Sequence, residues 1–206
     1  MQKTLIAAGL VAACFLATDL QAQESGIYFG GALGLTNLDE HGTGFAESLD
    51  LAGASYTLDI DDNDMGWKFF AGYQFNRNVG VEIGYTDLGS ADLDYVVTSP
   101  ADVTGSASSD ISGFTADVVL AWPLADRFDV FAKAGLVFWD ADLKANVTSV
   151  GDFSGDDDGT DIKFGLGARY AFTDQMSLRL EWERYNNVSF NKNDTDMFSV
   201  GLQFRY

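Results

Sequence analysis

Apolar residues alternate with small or polar ones along most of the chain, a period of two that predicts strands and not helices. "DIKFGLGARYAF", Asp161 to Phe172, is the clearest case. Ile162, Phe164, Leu166, Ala168, Tyr170 and Phe172 share one face, and Lys163, Gly165, Gly167, Arg169 and Ala171 the other. The same split recurs in "IYFGGALGLT", "WKFFAGYQF", "VGVEIGYTDL", "FTADVVLAW", "VFAKAGLVFW", "LRLEWERY" and the terminal "MFSVGLQFRY". Eight strands are predicted.

Their connections differ sharply in length. Those at Asn76–Asn78, Pro123–Arg127 and Thr173–Gln175 are tight, whereas Asn37–Asp64, Gly89–Gly113, Asp140–Thr160 and Asn186–Asp196 are long. An even number of antiparallel strands with short turns at one end and long loops at the other is the plan of an outer-membrane barrel. The expected fold is therefore all-β: an eight-stranded antiparallel up-and-down transmembrane β-barrel with short periplasmic turns and four long extracellular loops. The last strand, around Met197 to Tyr206, must close against the first, around Ile27 to Thr36, because an open edge does not persist in lipid.

The two faces decide what points inward. The polar face mixes Gly, Ala, Ser and Thr with charges of both signs, which suits a narrow interior filled by side chains. The apolar face collects aromatics where strands approach the short turns. Tyr73, Phe75, Trp122, Tyr170, Phe172, Phe204 and Tyr206 are predicted to form an aromatic girdle at the periplasmic interface. The apolar face is therefore read as lipid-facing, against the soluble barrel that would bury it. A lumen charge network follows: Lys68, Lys133, Lys163, Arg169, Arg179 and Arg205 opposite Glu82, Asp117, Glu181 and Glu183. Charges in so narrow a space must pair, since an unpaired buried charge is heavily penalised. A structural salt-bridge network is the favoured reading; the alternative is a gated ion path that opens when pairs such as Arg179 with Glu82 exchange partners.

Composition adds two constraints. "MQKTLIAAGLVAACFLATDLQAQES" has Lys3, an apolar run from Leu5 to Ala17, and small Ala22 before polar residues. That is a secretory leader over residues 1–22, leaving 23–206 as the barrel. Cys14, the one cysteine, lies inside it, so neither disulfides nor thiol chemistry are expected of the exported chain. "VAAC" matches a lipoprotein cleavage pattern, the lesser reading because Phe15 and Leu16 follow it. The formal charge is −19, and Lys3 and Asp19 cancel, so loss of the leader does not change it. Such acidity repels phosphate backbones and excludes nucleic acid as a partner.

With those features in hand, the chain resembles the OmpA-like transmembrane domain family of Gram-negative bacteria. The resemblance spans Gly26 to Tyr206. It is most specific in "FFAGYQFNRNVGVEIGYTDLG", "VVLAWPLADRFDVFAKAGLVFWDADLK" and "FGLGARYAFTDQMSLRLEWERYNN". It implies that the family's lumen charges fall on Glu82, Lys133, Arg179 and Glu181. Arg169 and Val119 depart from the family pattern, which often has glutamate and lysine there. A barrel without the family's periplasmic peptidoglycan-binding domain is expected. The terminal alternation ending on Tyr206 also resembles the signal read by the barrel-assembly machinery.

Candidate chemistry beyond the lumen is sparse. His41, the one histidine, sits in "DEHGTGFAES" near Glu40, Glu47 and Ser48, with nothing in the spacing that holds a base against a nucleophile. No enzymatic activity, cofactor or metal site is expected. The acidic runs "DIDDND" (Asp59 to Asp64) and "GDFSGDDDGTD" (Gly151 to Asp161) lack the glycine and the bidentate glutamate of a calcium loop. They are read as solvated loops, with at most weak contacts to the divalent cations that bridge lipopolysaccharide. The expected protein is a monomeric outer-membrane barrel with a structural, envelope-integrity role and acidic exposed loops. Its partners are membrane lipid, lipopolysaccharide and the assembly machinery. A narrow low-conductance channel or a loop-borne adhesin are the alternatives.

Overall fold

A computed structural model describes residues 25–38, 55–61, 63–99, 103–147, 151–188 and 194–206. The predicted leader with Cys14, and His41, Glu40, Glu47 and Ser48 of the first long connection, lie outside the described residues. Strand segments are β1 (Gly26–Leu38), β2 (Ser55–Asp61), β3 (Asn63–Gln74), β4 (Val79–Ser99), β5 (Val103–Ala125), β6 (Phe128–Val147), β7 (Gly151–Ala171), β8 (Met176–Tyr185) and β9 (Thr195–Arg205). β2 and β3 both pair antiparallel with β4, at its two ends, so they form one interrupted stave. Eight staves then close on themselves, because β1 pairs with β3 on one side and with β9 on the other. The eight-stranded up-and-down barrel is what the alternation predicts.

Burial assigns the faces. Tyr28 is 0% exposed while its neighbours Ile27 and Phe29 are 55% and 54% exposed. That contrast repeats around the ring: the charged and small residues turn inward, with a few large apolar side chains such as Phe70 and Trp139 among them, and the exterior is Leu, Ile, Val and aromatic, the reverse of a water-soluble barrel. Tyr73, Phe75, Trp122, Tyr170, Phe172 and Tyr206 are exposed on that exterior near the short turns, and Phe204 stacks on Phe29 with ring centroids 5.8 Å apart.

The short turns are fixed by side chains that replace missing ladder bonds. Asn76 Oδ1 accepts the backbone N–H of Asn78 (2.8 Å) and Val79 (2.9 Å), and Thr173 Oγ1 accepts that of Met176 (2.9 Å). Ala121 sends its N–H to the Asn78 carbonyl at 2.8 Å, so the nitrogen of Pro123, two residues on, faces away from β6 and beyond the end of the β4 ladder, where no bond is lost.

The strand ends at the other rim differ from the expectation. Gly89–Gly113 and Asp140–Thr160 are not loops over most of their length. β4 and β5 stay paired up to Val97 and Val103, and β6 and β7 up to Val147 and Gly151. Asp and Gly are poor strand formers in isolation, but propensity yields to continuous pairing from an established ladder. The acidic run Gly151 to Asp161 is therefore strand. The β4–β5 ladder is interrupted once, where Leu88 and Gly89 together oppose Ile111. Gly89 has φ +82°, the left-handed region, and a Cβ there would approach Asp64 to 2.7 Å.

Candidate functional site

The lumen is filled in layers. At its centre, alternate positions of β8 project Arg179, Glu181 and Glu183 inward, and Lys68, Glu82, Lys133 and Lys163 converge on them. Arg179 grips Glu82 of β4 with both terminal nitrogens, Nη1 to Oε2 at 2.7 Å and Nη2 to Oε1 at 3.1 Å. Its Nε meets the Glu181 carboxylate. Lys133 Nζ lies 3.2 Å from Glu82, 2.7 Å from Glu181 and 2.7 Å from Glu183. Lys163 bridges Asp117 (2.9 Å) and Glu183 (2.7 Å). Lys68 pairs with Glu181 at 3.0 Å and also with Glu183. The Tyr28 hydroxyl donates to Glu82 Oε2 at 3.1 Å.

This set contains four cations and four carboxylates, none more than 5% exposed. It is formally neutral, and each carboxylate has at least one cation within contact. Removing water from eight charges is costly unless each has an opposite charge in contact, as here.

Small residues make room for the large ones. A Cβ on Gly72 would lie 2.3 Å from the Tyr28 ring, and one on Gly167 would lie 2.3 Å from Phe131. Phe70 and Phe131 in turn flank the Arg179 guanidinium, 4.3 Å and 4.6 Å from their ring centroids. Such stacking suits arginine better than lysine.

Two predicted charges stand apart from the centre. Arg169 bonds Asp129 at 2.8 Å, nearer the short turns, and reaches the centre through Gln203 and the Phe131 ring it shares with Arg179. Arg169 and Arg179 are directly opposed across β7 and β8, and Gln203 Oε1 accepts from both, easing a like-charge contact. Arg205 lies at the periplasmic mouth, in a recess of about 160 Å³ that it shares with Arg77, Asp126 and Arg127.

Beyond the charges, toward the long-loop rim, the filling changes. Leu88, Ile111, Val137, Trp139, Ala141, Tyr185, Val188 and Met197 form a buried apolar cluster across the lumen. Trp139 donates its indole N–H to Asp161 Oδ2 at 2.9 Å and lies over Gly159, where a Cβ would come within 2.6 Å of the ring. At the rim, Asp64 accepts from the Ser90 backbone N–H (2.7 Å) and hydroxyl (3.1 Å), which holds its carboxyl below the ordinary value.

Several of these residues were not singled out from sequence. Asp129 lies one alternation step before the segment read as strand, directly opposite Arg169 in register. Tyr28, Phe70, Phe131 and Gln203 were visible as inward positions, but nothing in a single strand shows which inward residues meet across the ring. Of the apolar layer, Ile111, Ala141 and Val188 lie in stretches read as loop, while Leu88, Val137, Trp139, Tyr185 and Met197 lie in segments read as strand, where nothing shows that they meet. Among the described residues, no three His, Cys, Asp or Glu side chains are grouped to hold a metal ion.

Comparison with known proteins gives a consistent result. The sequence profile of the OmpA-like transmembrane domain matches residues 22–206. Outer membrane protein A of Shigella flexneri is 30% identical over the whole chain, which covers 56% of that relative. The chain thus spans little more than half the length of the curated relatives it matches. Among solved structures, OprG of Pseudomonas aeruginosa superposes with a TM-score of 0.54 at 13% identity, covering 91% of this chain and 99% of that one. Ail of Yersinia pestis, the attachment invasion locus protein, gives 0.52 at 14% identity, covering 88% and 97%. At such identity the structural likeness speaks for the fold alone.

Proposed function

The chain belongs to the OmpA-like transmembrane domain family, whose members are Gram-negative outer-membrane barrels, and from that premise we propose that it is a monomeric structural component of the outer membrane and not a diffusion pore. The observation that carries this reading is the doubly filled lumen: a neutral cluster of eight interlocked charges with a buried apolar layer stacked on it. An open aqueous channel needs charged groups lining free space, and here the central charged groups are spent on one another. No enzymatic activity is proposed.

The partners follow from the surface chemistry. Phospholipid and the acyl chains of lipopolysaccharide meet the apolar exterior, and the assembly machinery meets the terminal strand during insertion. The acidic ribbons stand outside the bilayer, where their carboxylates share the divalent cations of the lipopolysaccharide layer. A deletion strain tests the reading. The expected result is increased detergent sensitivity with unchanged uptake of small solutes. Reduced uptake with normal detergent resistance would overturn it in favour of a pore.

A further inference from the structure

The barrel wall is not level at its outer rim. β8 pairs with β7 only as far as Tyr185 opposite Lys163, whereas β6 stays with β7 as far as Val147 opposite Gly151. β7 therefore runs on past its β8 partner, and that length has one strand neighbour, β6, among the described residues.

The edge is terminated from below. Asn186 donates both its backbone N–H (3.2 Å) and its side-chain amide (3.0 Å) to the Ile162 carbonyl. The chain then turns away. Asn187 adopts φ +54°, Val188 is buried in the apolar layer, and the Asn187 N–H bonds Asp194 Oδ1 at 3.3 Å. Among the described residues of the fourth connection, none pairs with β7 beyond the contact of Asn186 with Ile162.

The Ile162 carbonyl faces the β8 side, so strand geometry dictates which backbone groups face the free edge. In an antiparallel sheet a residue's N–H and C=O point the same way, and the direction alternates along the strand. Asp152, Ser154, Asp156, Asp158 and Thr160 therefore offer their N–H and C=O outward from the edge. Asp158 answers this locally, with its N–H held by the Asp157 carboxylate at 3.0 Å.

We propose that this exposed edge of β7 is a docking strand for an extended, basic polypeptide segment of another protein, which adds to the sheet by β-augmentation. An unpaired edge outside the bilayer is a template for strand addition. Its charge selects the partner. Asp152, Asp156, Asp157, Asp158 and Asp161 fall within eleven residues of strand, with no Lys or Arg among Gly151 to Ile162. A second copy of this edge is repelled by the same carboxylates, so self-pairing is disfavoured. A segment with lysine or arginine at alternate positions matches both the ladder and the charge. The surface is independent of the lumen, so its failure leaves the scaffold reading untouched.

The test uses the full barrel in lipid nanodiscs and a fluorescent peptide of about ten residues alternating lysine and valine, long enough to pair with the edge. Anisotropy is expected to show binding that weakens with salt, and hydrogen exchange is expected to slow at Ser154, Asp156 and Thr160. The same peptide N-methylated at alternate residues on its pairing side, and a glutamate–valine peptide, are expected not to bind. Ser154→Pro removes one edge N–H at a position where proline is tolerated, keeps every charge, and should abolish binding. Asp156→Asn with Asp158→Asn should weaken it about tenfold by lowering charge complementarity. Equal binding of the N-methylated peptide to the unaltered barrel would overturn the proposal, leaving only electrostatic adsorption. So would binding without slowed exchange, or no binding at low salt.

Discussion

At the centre of the lumen four cations interlock with four carboxylates, whereas a few residues further out along the same strands Leu88, Ile111, Trp139, Tyr185 and Met197 pack against one another with no charge among them. Both layers are buried, and both are built from inward-facing alternate positions. They differ in how they fail. A charged layer is an all-or-nothing arrangement, because removing one partner leaves an uncompensated charge with no water to receive it. An apolar layer loses only the contacts and volume of the group removed. The charged centre thus specifies which strands must meet, and the apolar layer adds closure that tolerates substitution.

The largest expected effect is from Glu82→Ala, which takes one carboxylate from Arg179, Lys133 and the Tyr28 hydroxyl together and leaves the cluster with an excess positive charge. Breaking a buried network in this way should cost about 3–5 kcal/mol, read by urea unfolding of the barrel in lipid vesicles. Adding Lys133→Met restores neutrality and should recover much of that loss. If the two effects simply add, the layer is not the coupled unit described here.

Met197→Ala in the apolar layer should cost less, about 2–3 kcal/mol, and any coupling to Glu82→Ala should run through Glu183, the cross-strand partner of Met197. Trp139→Phe keeps the ring but strands Asp161 without its indole donor. A loss of about 1 kcal/mol is expected in the same unfolding experiment.

The smallest effect is at the rim. Asp64 is held below its ordinary value of 3.8 by Ser90, so its contribution is present above that pH and is lost as pH falls through the lowered value. Asp64→Asn should flatten the acid limb of the stability profile slightly, measured at low salt. An unchanged profile would mean that the Gly89 bulge stands without the clamp.

The contrast between the layers also shows what a sequence exposes. "LRLEWERY" alternates so regularly that the common face of Arg179, Glu181 and Glu183 is legible at once. The same holds for the closing strand, where Phe198, Val200, Leu202 and Phe204 define the lipid side. The pairing of Arg179 with Glu82, however, joins staves on opposite sides of the ring, with three staves between them either way, and depends on ring closure, which no local pattern encodes. The apolar layer was hidden for another reason. Ile111 and Ala141 lie in runs rich in Asp, Ser and Gly, whose weak strand propensity reads as loop until pairing with a neighbouring strand overrides it. Val188 is harder still, because only a left-handed turn at Asn187 brings it into the lumen.

Seal in series is the central claim, and single-channel recording in planar bilayers tests it most directly. Four proteins are compared: the unaltered barrel, Glu82→Ala with Arg179→Ala, Trp139→Ala with Met197→Ala, and all four substitutions together. The account predicts that neither pair alone conducts steadily and that the combination does, since either layer suffices to close the lumen. Full conductance from the charge pair alone would contradict it, and would leave the apolar layer as packing without a barrier role.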